Sequence, residues 1–375
     1  MNRYFSAPGR IEICGNHTDH QHGRVLAAAI NLEATAVVQA NGTTIIRVKS
    51  DGFKEEEIDI SNLALHSDEL ETTTSLVRGI AAWFVKKGYP IGGFDAKISS
   101  TIPVGAGLSS SAAIEVLIGN ILKGLFDADI SKMEIAQAGK FAENVYFGKP
   151  CGLMDQTASS FGGMNIIDFK DVENPVVTPI KVDFHDYSIC VVDTGGSHAD
   201  LTPDYAACTT EMKAIANFFN KEYLRDVCQD EFYSSIKKLR HQGDRAILRA
   251  IHFYEDHERV LKQAEALTKG DMKTFLELVI ESGHSSLAYL QNVYTPTRPQ
   301  DQGLTIALAL SEKILRGTGA WRVHGGGFAG TILAFVPHDK KDEYRDEMNA
   351  VFGDNSCHFL KINPNGGREI EEKTS

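Results

Sequence analysis

Between positions 103 and 113 the chain reads Pro-Val-Gly-Ala-Gly-Leu-Ser-Ser-Ser-Ala-Ala. Glycines let a backbone approach a charged group closely, and serine hydroxyls add donors. At the start of a helix such a run binds anions, phosphate above all, because the first amides are unpaired and the helix dipole favours negative charge. A second polar cluster fills positions 7–23, with Arg10, Asn16, His17, Asp19, His20 and His22 crowded together. Those residue types offer both donors and acceptors in fixed directions, which is what sugar hydroxyls need. Zinc on His17, Asp19, His20 and His22 is the minor alternative, since their spacing matches no standard ligand set and no distant cysteine–histidine pair completes one.

The glycine-serine run must be carried by the elements on either side of it. Residues 94–99 alternate apolar and polar in the manner of a half-buried strand, and Ile114, Leu117, Ile118, Ile121, Leu122 and Leu125 recur at helical spacing. The run lacks the Gly-Lys-Ser/Thr ending of a P-loop and the third glycine of the dinucleotide fingerprint. Elsewhere, two β-rich runs around Asn41-Gly42 predict a hairpin over 36–48, and residues 76–87 read as a helix. Ser131 and Glu134 form a capping-box pattern opening another helix, which Gly148 closes. A composition shift at 171–175 predicts a domain boundary, giving domains 1–172 and 173–375. Beyond it come a strand over 187–194, a helix opened by Pro203, two helices between 256 and 286, and three glycines at 325–327 before a strand over 331–336. The acidic tail after Asn365 is expected to fray.

A chain of 375 residues is long enough for two domains with separate cores. With 42% apolar and 23% charged residues it reads as a globular enzyme and not as a disordered chain. The formal charge of -12 argues against a nucleic-acid or anionic-membrane surface. Six cysteines stand at 14, 151, 190, 208, 228 and 357 without metal or redox spacing, so reduced thiols in a cytoplasmic protein are expected. No apolar run reaches membrane-spanning length, and no signal segment is visible.

The run at 103–113 resembles the second motif of the small-molecule kinases named after galactokinase, homoserine kinase, mevalonate kinase and phosphomevalonate kinase. Gly9, Arg10, Gly15, His17, Thr18 and Asp19 match the galactokinase signature, in which the family's Asn is here Glu12, its Glu is Asn16 and its Tyr is His20. Cys151-Gly152-Leu153-Met154-Asp155-Gln156 is similar to the Cys-Gly-x-Met-Asp-Gln element that narrows the resemblance to the galactokinase branch. Residues 324–330 resemble the last, Gly-Gly-Gly-Phe-Gly-Gly motif, with Ala329 in place of a glycine. The motifs occur in the family's order over nearly the whole chain.

The resemblance implies a two-domain α+β protein, with an N-terminal domain like ribosomal protein S5 domain 2, a ferredoxin-like C-terminal domain and the site in the cleft between them. It implies ATP on Gly105, Gly107, Leu108, Ser109, Ser110 and Ser111, and Mg2+ on Ser111 and Glu143, the latter twelve residues before Asp155. Asp155 would accept the proton of an anomeric hydroxyl or stabilise it electrostatically, with Arg10 holding Asp155 ionised. Asn16, His17, Asp19, Gly152 and Tyr205 would line the sugar site. The expected reaction is phosphorylation of D-galactose at its anomeric oxygen. One alternative is galacturonate: Asn16 removes a carboxylate that would repel a uronate and adds an N–H donor, and Asp19-His20-Gln21 resembles plant galacturonate kinases. Against that stands a compensated exchange, with Glu12 serving the same hydroxyl. The other alternative is a non-catalytic sugar and ATP sensor. Such inducers lack a Ser-Ala dipeptide in the phosphate loop, present here as Ser111-Ala112.

Overall fold

The computed structural model describes residues 1–103, 105–149, 151–196 and 201–372, so Val104 of the glycine-serine run lies outside the described residues. The chain forms two compact units that interleave along the sequence. Unit one takes residues 1–10, 28–163 and 362 onward; unit two takes 11–27 and 164–361.

Unit one is built on a mixed sheet. Its strands are β1 (Arg3–Cys14) and β2 (Arg24–Ala40), whose adjoining ends run on into unit two, followed by β3 (Ile45–Ser50), β4 (Glu55–Asp59) and β5 (Phe94–Ser100). The spatial order is the terminal strand Arg368–Ile370, then β1, β2, β5, β3 and β4. Helices α1 (Thr73–Lys87), α2 (Ser110–Leu125), α3 (Lys132–Phe141) and α4 (Met154–Phe161) pack on one another. The expected strand before the glycine-serine run is β5, burying Phe94, Ala96 and Ile98 while Asp95 and Lys97 face outward. The expected helix after it is α2, which buries Val116, Leu117, Ile118, Ile121 and Leu122. The capping box of α3 is complete, Ser131 accepting from the Glu134 amide and Glu134 from the Ser131 amide.

Three local expectations are corrected. The runs around Asn41-Gly42 are strands, but they do not form a hairpin: β5 lies between β2 and β3, antiparallel to one and parallel to the other. Gly93 makes this insertion feasible, because a Cβ there would sit 2.6 Å from Asn41 Oδ1 and from the carbonyls of Thr43 and Ile45, while its own amide donates to Thr43. The tail does not fray at once. Arg368–Ile370 pairs with β1, held by a two-armed Arg3–Glu369 ion pair and by Tyr4 donating to Glu372. The composition shift at 171–175 is a turn and not a boundary. It joins β6 (Met164–Asp168) to β7 (Val176–Ile180) in a hairpin, Asp171 accepting from the amides of Glu173 and Asn174. A single cut at 172 also misses residues 11–27, whose polar loop is anchored inside unit two.

Unit two continues with β8 (Tyr187–Asp193), α5 (Thr202–Phe218), α6 (Gln229–Leu239), α7 (Asp244–Lys269), α8 (Met272–Ser285), α9 (Gly303–Leu315), β9 (Ala320–Val323), β10 (Thr331–Pro337), α10 (Lys341–Phe352) and β11 (Cys357–Leu360). Strands β11, β8, β10 and β9 form a four-stranded antiparallel sheet in that order. One face buries Ile332, Ala334 and Val336 against Leu315 of α9 and Tyr344 and Met348 of α10. The other carries Phe335, which meets Phe275 of α8 edge to face at 5.0 Å. A second core, of Met212, Ile215, Phe232, Ala250 and Phe253, ties α5, α6 and α7 together. All six cysteines are unpaired thiols. Among the described residues no helix is long and apolar enough to cross a membrane.

Candidate functional site

The glycine-serine run reaches its helix through strained backbone. Gly105 and Gly107 have φ of 82° and 66°, and Ser109, at the N-cap of α2, has φ 57°. A non-glycine residue in the left-handed region costs about 1–3 kcal/mol and persists where surrounding contacts over-determine it. Here the Ser109 hydroxyl donates to Asp155 Oδ2 at 2.5 Å instead of capping its own helix. The first amides of α2 therefore have no side-chain cap, and an anion would find them.

Asp155 occupies the first turn of α4, set there by the 151–153 turn, in which Gly152 lies and Cys151 is held by the Asn144 side chain at 2.7 Å. Arg10 grips it as a fork, Nε to Oδ1 at 2.7 Å and Nη2 to Oδ2 at 2.8 Å, while Nη1 donates to the Gly107 carbonyl at 2.6 Å. The Arg10 backbone amide donates to Leu108. One arginine thus ties the Asp155 carboxylate to the glycine-serine loop. Burial alone would raise the Asp155 pKa, but Arg10, Ser109 and Lys149 outweigh it and hold the group below the usual carboxylate range. Arg10, Gly107, Ser109 and Asp155 are brought together; Gly105 lies in the loop, and Ser110 and Ser111 begin α2.

Glu143 lies in a π-helical turn, Ala142–Phe147, that closes at Gly148 with φ 87°. It is buried, not a solvated surface glutamate. Its Oε2 accepts from Gln156 Nε2 at 2.9 Å, and its Oε1 faces the Lys149 ammonium at 3.4 Å. The same Gln156 amide donates to Glu115 Oε2 at 2.9 Å, so one amide bridges two carboxylates. Burial, with the charge of Glu143 added to it, pushes the Glu115 carboxyl well above its ordinary value. A divalent cation fits the chemistry of this carboxylate: Gln156 fixes one oxygen of Glu143, and the other already faces a positive charge, that of Lys149.

In unit two the polar loop at 15–23 is anchored from below by α7. Asp256 accepts from the amides of Gly15 and Asn16 at 3.0 and 3.1 Å, and His252 Nε2 meets the Asn16 carbonyl at 2.8 Å. Burial would raise Asp256, but His252, Arg259 and Arg322 together bring it down to about 2. The loop turns its side chains onto the glycine run. Asn16 Nδ2 donates to the Gly325 carbonyl at 2.6 Å, His17 Nε2 to Gly326 at 2.9 Å and the Tyr205 hydroxyl to Gly327 at 3.0 Å. Gly326 and Gly327 are required, because a Cβ on the first would strike the Tyr205 ring at 2.5 Å and on the second the Asn292 carbonyl at 2.1 Å.

The expectation that Asn16 offers a free N–H to a sugar is corrected. Both of its amide hydrogens are used, the second by Glu12 Oε1 at 2.9 Å, and its Oδ1 accepts from Asn292 Nδ2 at 2.7 Å. Glu12 also pairs with Arg322 at 3.2 Å. The departures at 12 and 16 are therefore one exchanged pair. Asp19 is placed on the same loop, its Oδ1 accepting from the His20 amide at 2.9 Å.

Sequence reasoning missed Glu115, Gln156, Arg322 and Asn292. Of these, Glu115 had a signal: a carboxylate between Ile114 and Val116 on a helix that is otherwise apolar there.

The chain matches the family model for the GHMP kinases N terminal domain over residues 75–163 and the galactokinase galactose-binding signature over residues 2–40. It is 32% identical to the galactokinase of Actinobacillus pleuropneumoniae, and to that of Haemophilus influenzae, over 90% of this chain and 86% of each relative. Among solved structures, Lactococcus lactis galactokinase complexed with galactose superposes with a TM-score of 0.86 at 25% identity, covering 98% of this chain and 95% of that one. Methanococcus jannaschii mevalonate kinase shares the fold with a TM-score of 0.68 at 16% identity, over 96% and 98% of the two chains. The four-stranded sheet, the uncapped glycine-serine helix and the relatives aligned along its length make this chain a member of the galactokinase family of GHMP kinases.

Proposed function

We propose that this sugar kinase transfers the terminal phosphoryl group of ATP to the anomeric hydroxyl of D-galactose. The observation that carries the reading is the Arg10 fork on Asp155 beside the uncapped start of α2. ATP lays its phosphates along residues 105–111, where glycine backbone and unpaired amides receive them. Phosphoryl transfer runs through a loose transition state, so the protein's work is positioning and charge stabilisation. Asp155, kept ionised, orients the sugar hydroxyl and draws its proton as the new P–O bond forms and the bond from the terminal phosphorus to the departing ADP oxygen breaks. Arg10 offsets negative charge at the loop end it shares with Gly107. The family resemblance assigns His17, Asp19, Gly152 and Tyr205 to the sugar. Ser111 and Glu143 would hold Mg2+, which neutralises phosphate charge when bound.

Galactose is favoured over galacturonate because the N–H donor that a uronate would need from Asn16 is spent on Glu12 and Gly325. The intact Arg10, Glu143 and Asp155, with Ser111-Ala112, favour an enzyme over a sensor. The test is ATP consumption by the purified chain with galactose, glucose, N-acetylgalactosamine and galacturonate, with phosphorus NMR locating the transferred group. Silence with every sugar, or phosphate on any oxygen but the anomeric one, overturns the reading.

The metal assignment has its own test. Glu143→Gln is expected to raise the Mg2+ concentration for half-maximal velocity by at least about tenfold, since a neutral amide is a poorer ligand for a hard cation. The check is a Mg2+ titration at saturating ATP and sugar; an unchanged requirement removes Glu143 from the site.

A further inference from the structure

The galactokinase signature carries a tyrosine where this chain has His20, and the structure gives that histidine a defined set of partners. Gln21 Oε1 accepts from the Leu224 backbone amide at 3.1 Å, which fixes the orientation of the Gln21 amide. Its Nε2 then faces His20 Nδ1 at 3.4 Å. His20 Nε2 lies 3.3 Å from His17 Nδ1, and His17 Nε2 lies 2.9 Å from the Gly326 carbonyl. An amide nitrogen only donates and a carbonyl oxygen only accepts, so the polarity of the whole chain is set from both ends. Gln21 donates to His20, His20 donates to His17 and His17 donates to Gly326. Both rings must then be neutral with the proton on Nε2. Burial favours this, lowering His17 to about 4 and His20 well below its ordinary value.

We propose that His20 is a positioning residue of the sugar site: its Nε2–H holds the His17 imidazole in one orientation, so that His17 pins Gly326 and fixes the glycine run beside Tyr205. The proposal rests on the sugar-kinase reading for the site it serves. The two rings meet edge-on with centroids 5.5 Å apart, and His17 lies nearly parallel to Tyr205 at 6.5 Å. Tyr205 in turn donates to Gly327 and meets Phe328 edge to face at 5.4 Å. With both ring nitrogens taken, His17 acts on the sugar through the loop it holds and not as a direct ligand. The far side of the His20 imidazole is tied through Gln21 to the backbone of Leu224.

The relay separates two conservative substitutions. Glutamine places an amide N–H near the position of a histidine Nε2 and keeps the donor to His17; asparagine places it near Nδ1 and loses that donor. Loss of one neutral hydrogen bond that orders a binding loop is expected to raise the sugar KM of His20→Asn by about tenfold with kcat within about twofold. His20→Gln is expected to stay within about twofold of wild type in both, and ATP KM to be unchanged in either variant. Equal sugar KM in wild type and His20→Asn, or equal impairment of the Asn and Gln variants, overturns the proposal. Nitrogen-15 NMR of the histidine rings gives a readout independent of turnover, so failure of the relay and failure of the kinase reading are told apart. In the wild-type protein His20 must carry its proton on Nε2; a proton on Nδ1 leaves no donor for His17 and sinks the assignment even if one variant proves unstable.

Discussion

Asp155→Asn is expected to fold like the wild type and to lose sugar-dependent ATP turnover by a factor of about 10² to 10⁴. The size follows from what surrounds the carboxylate. Arg10 brings two N–H groups and Ser109 an O–H to its two oxygens. An asparagine supplies one oxygen and turns its NH2 against one of those donors, so the fork opens and the Ser109 hydroxyl or the guanidinium must turn elsewhere. Two things are lost together: the negative charge at the sugar hydroxyl, and the link from Arg10 to the glycine-serine run through Gly107. Because the wild-type group is held below the usual carboxylate range by Arg10, Ser109 and Lys149, it is ionised at neutral pH. A pH-rate limb near neutrality therefore belongs to another group. Turnover and thermal unfolding of the pure variant are the measurements, and near-wild-type turnover would falsify the role given to Asp155.

How far the sequence could carry this reading depends on the range of the interactions involved. Local ones were legible: the alternation that makes β5, the apolar spacing of α2 and the Ser131–Glu134 capping box are all complete within a few neighbouring residues. The run around Asn41-Gly42 misled because a turn signal fixes a reversal, while strand neighbours are chosen by long-range pairing; Gly93, fifty residues on, inserts β5 there. The tail misled because its acidic residues look solvated until Arg3 and Tyr4 supply partners from the other end of the chain. In the site, Arg10, Ser109 and Asp155 were found because their motifs carry them. Glu115, Arg322 and Asn292 were not, since each matters only through a partner more than a dozen residues away, and Gln156, although its motif carries it, shows its role only through Glu115 and Glu143.

The clearest case is position 16, where a residue that reads as an altered sugar ligand is part of a buried network. Asn16→Glu is expected to destabilise the protein by about 3–5 kcal/mol, the range for leaving a buried charge uncompensated. The new carboxylate would meet Glu12 across the 2.9 Å now spanned by an amide hydrogen, and would face the Gly325 carbonyl, another acceptor, where Asn16 donates at 2.6 Å. Protonation of one acid relieves the repulsion but supplies a single O–H where the amide gives two N–H groups, to Glu12 and to Gly325, so one acceptor loses its donor, a loss of about 1–3 kcal/mol for a buried group. Glu12→Asn alone is also costly, because Arg322 is fully buried and loses a counter-charge. Made together, the two changes restore one acid and one amide in the order of the family signature. The double variant is therefore expected to be more stable than the sum of the single losses by about 1–3 kcal/mol, the coupling found between residues that share one network. Chemical unfolding of the four proteins measures this directly. Additivity within about 0.5 kcal/mol would mean that positions 12 and 16 act independently, and would return Asn16 to the sugar, where a separate change of substrate specificity would have to explain it.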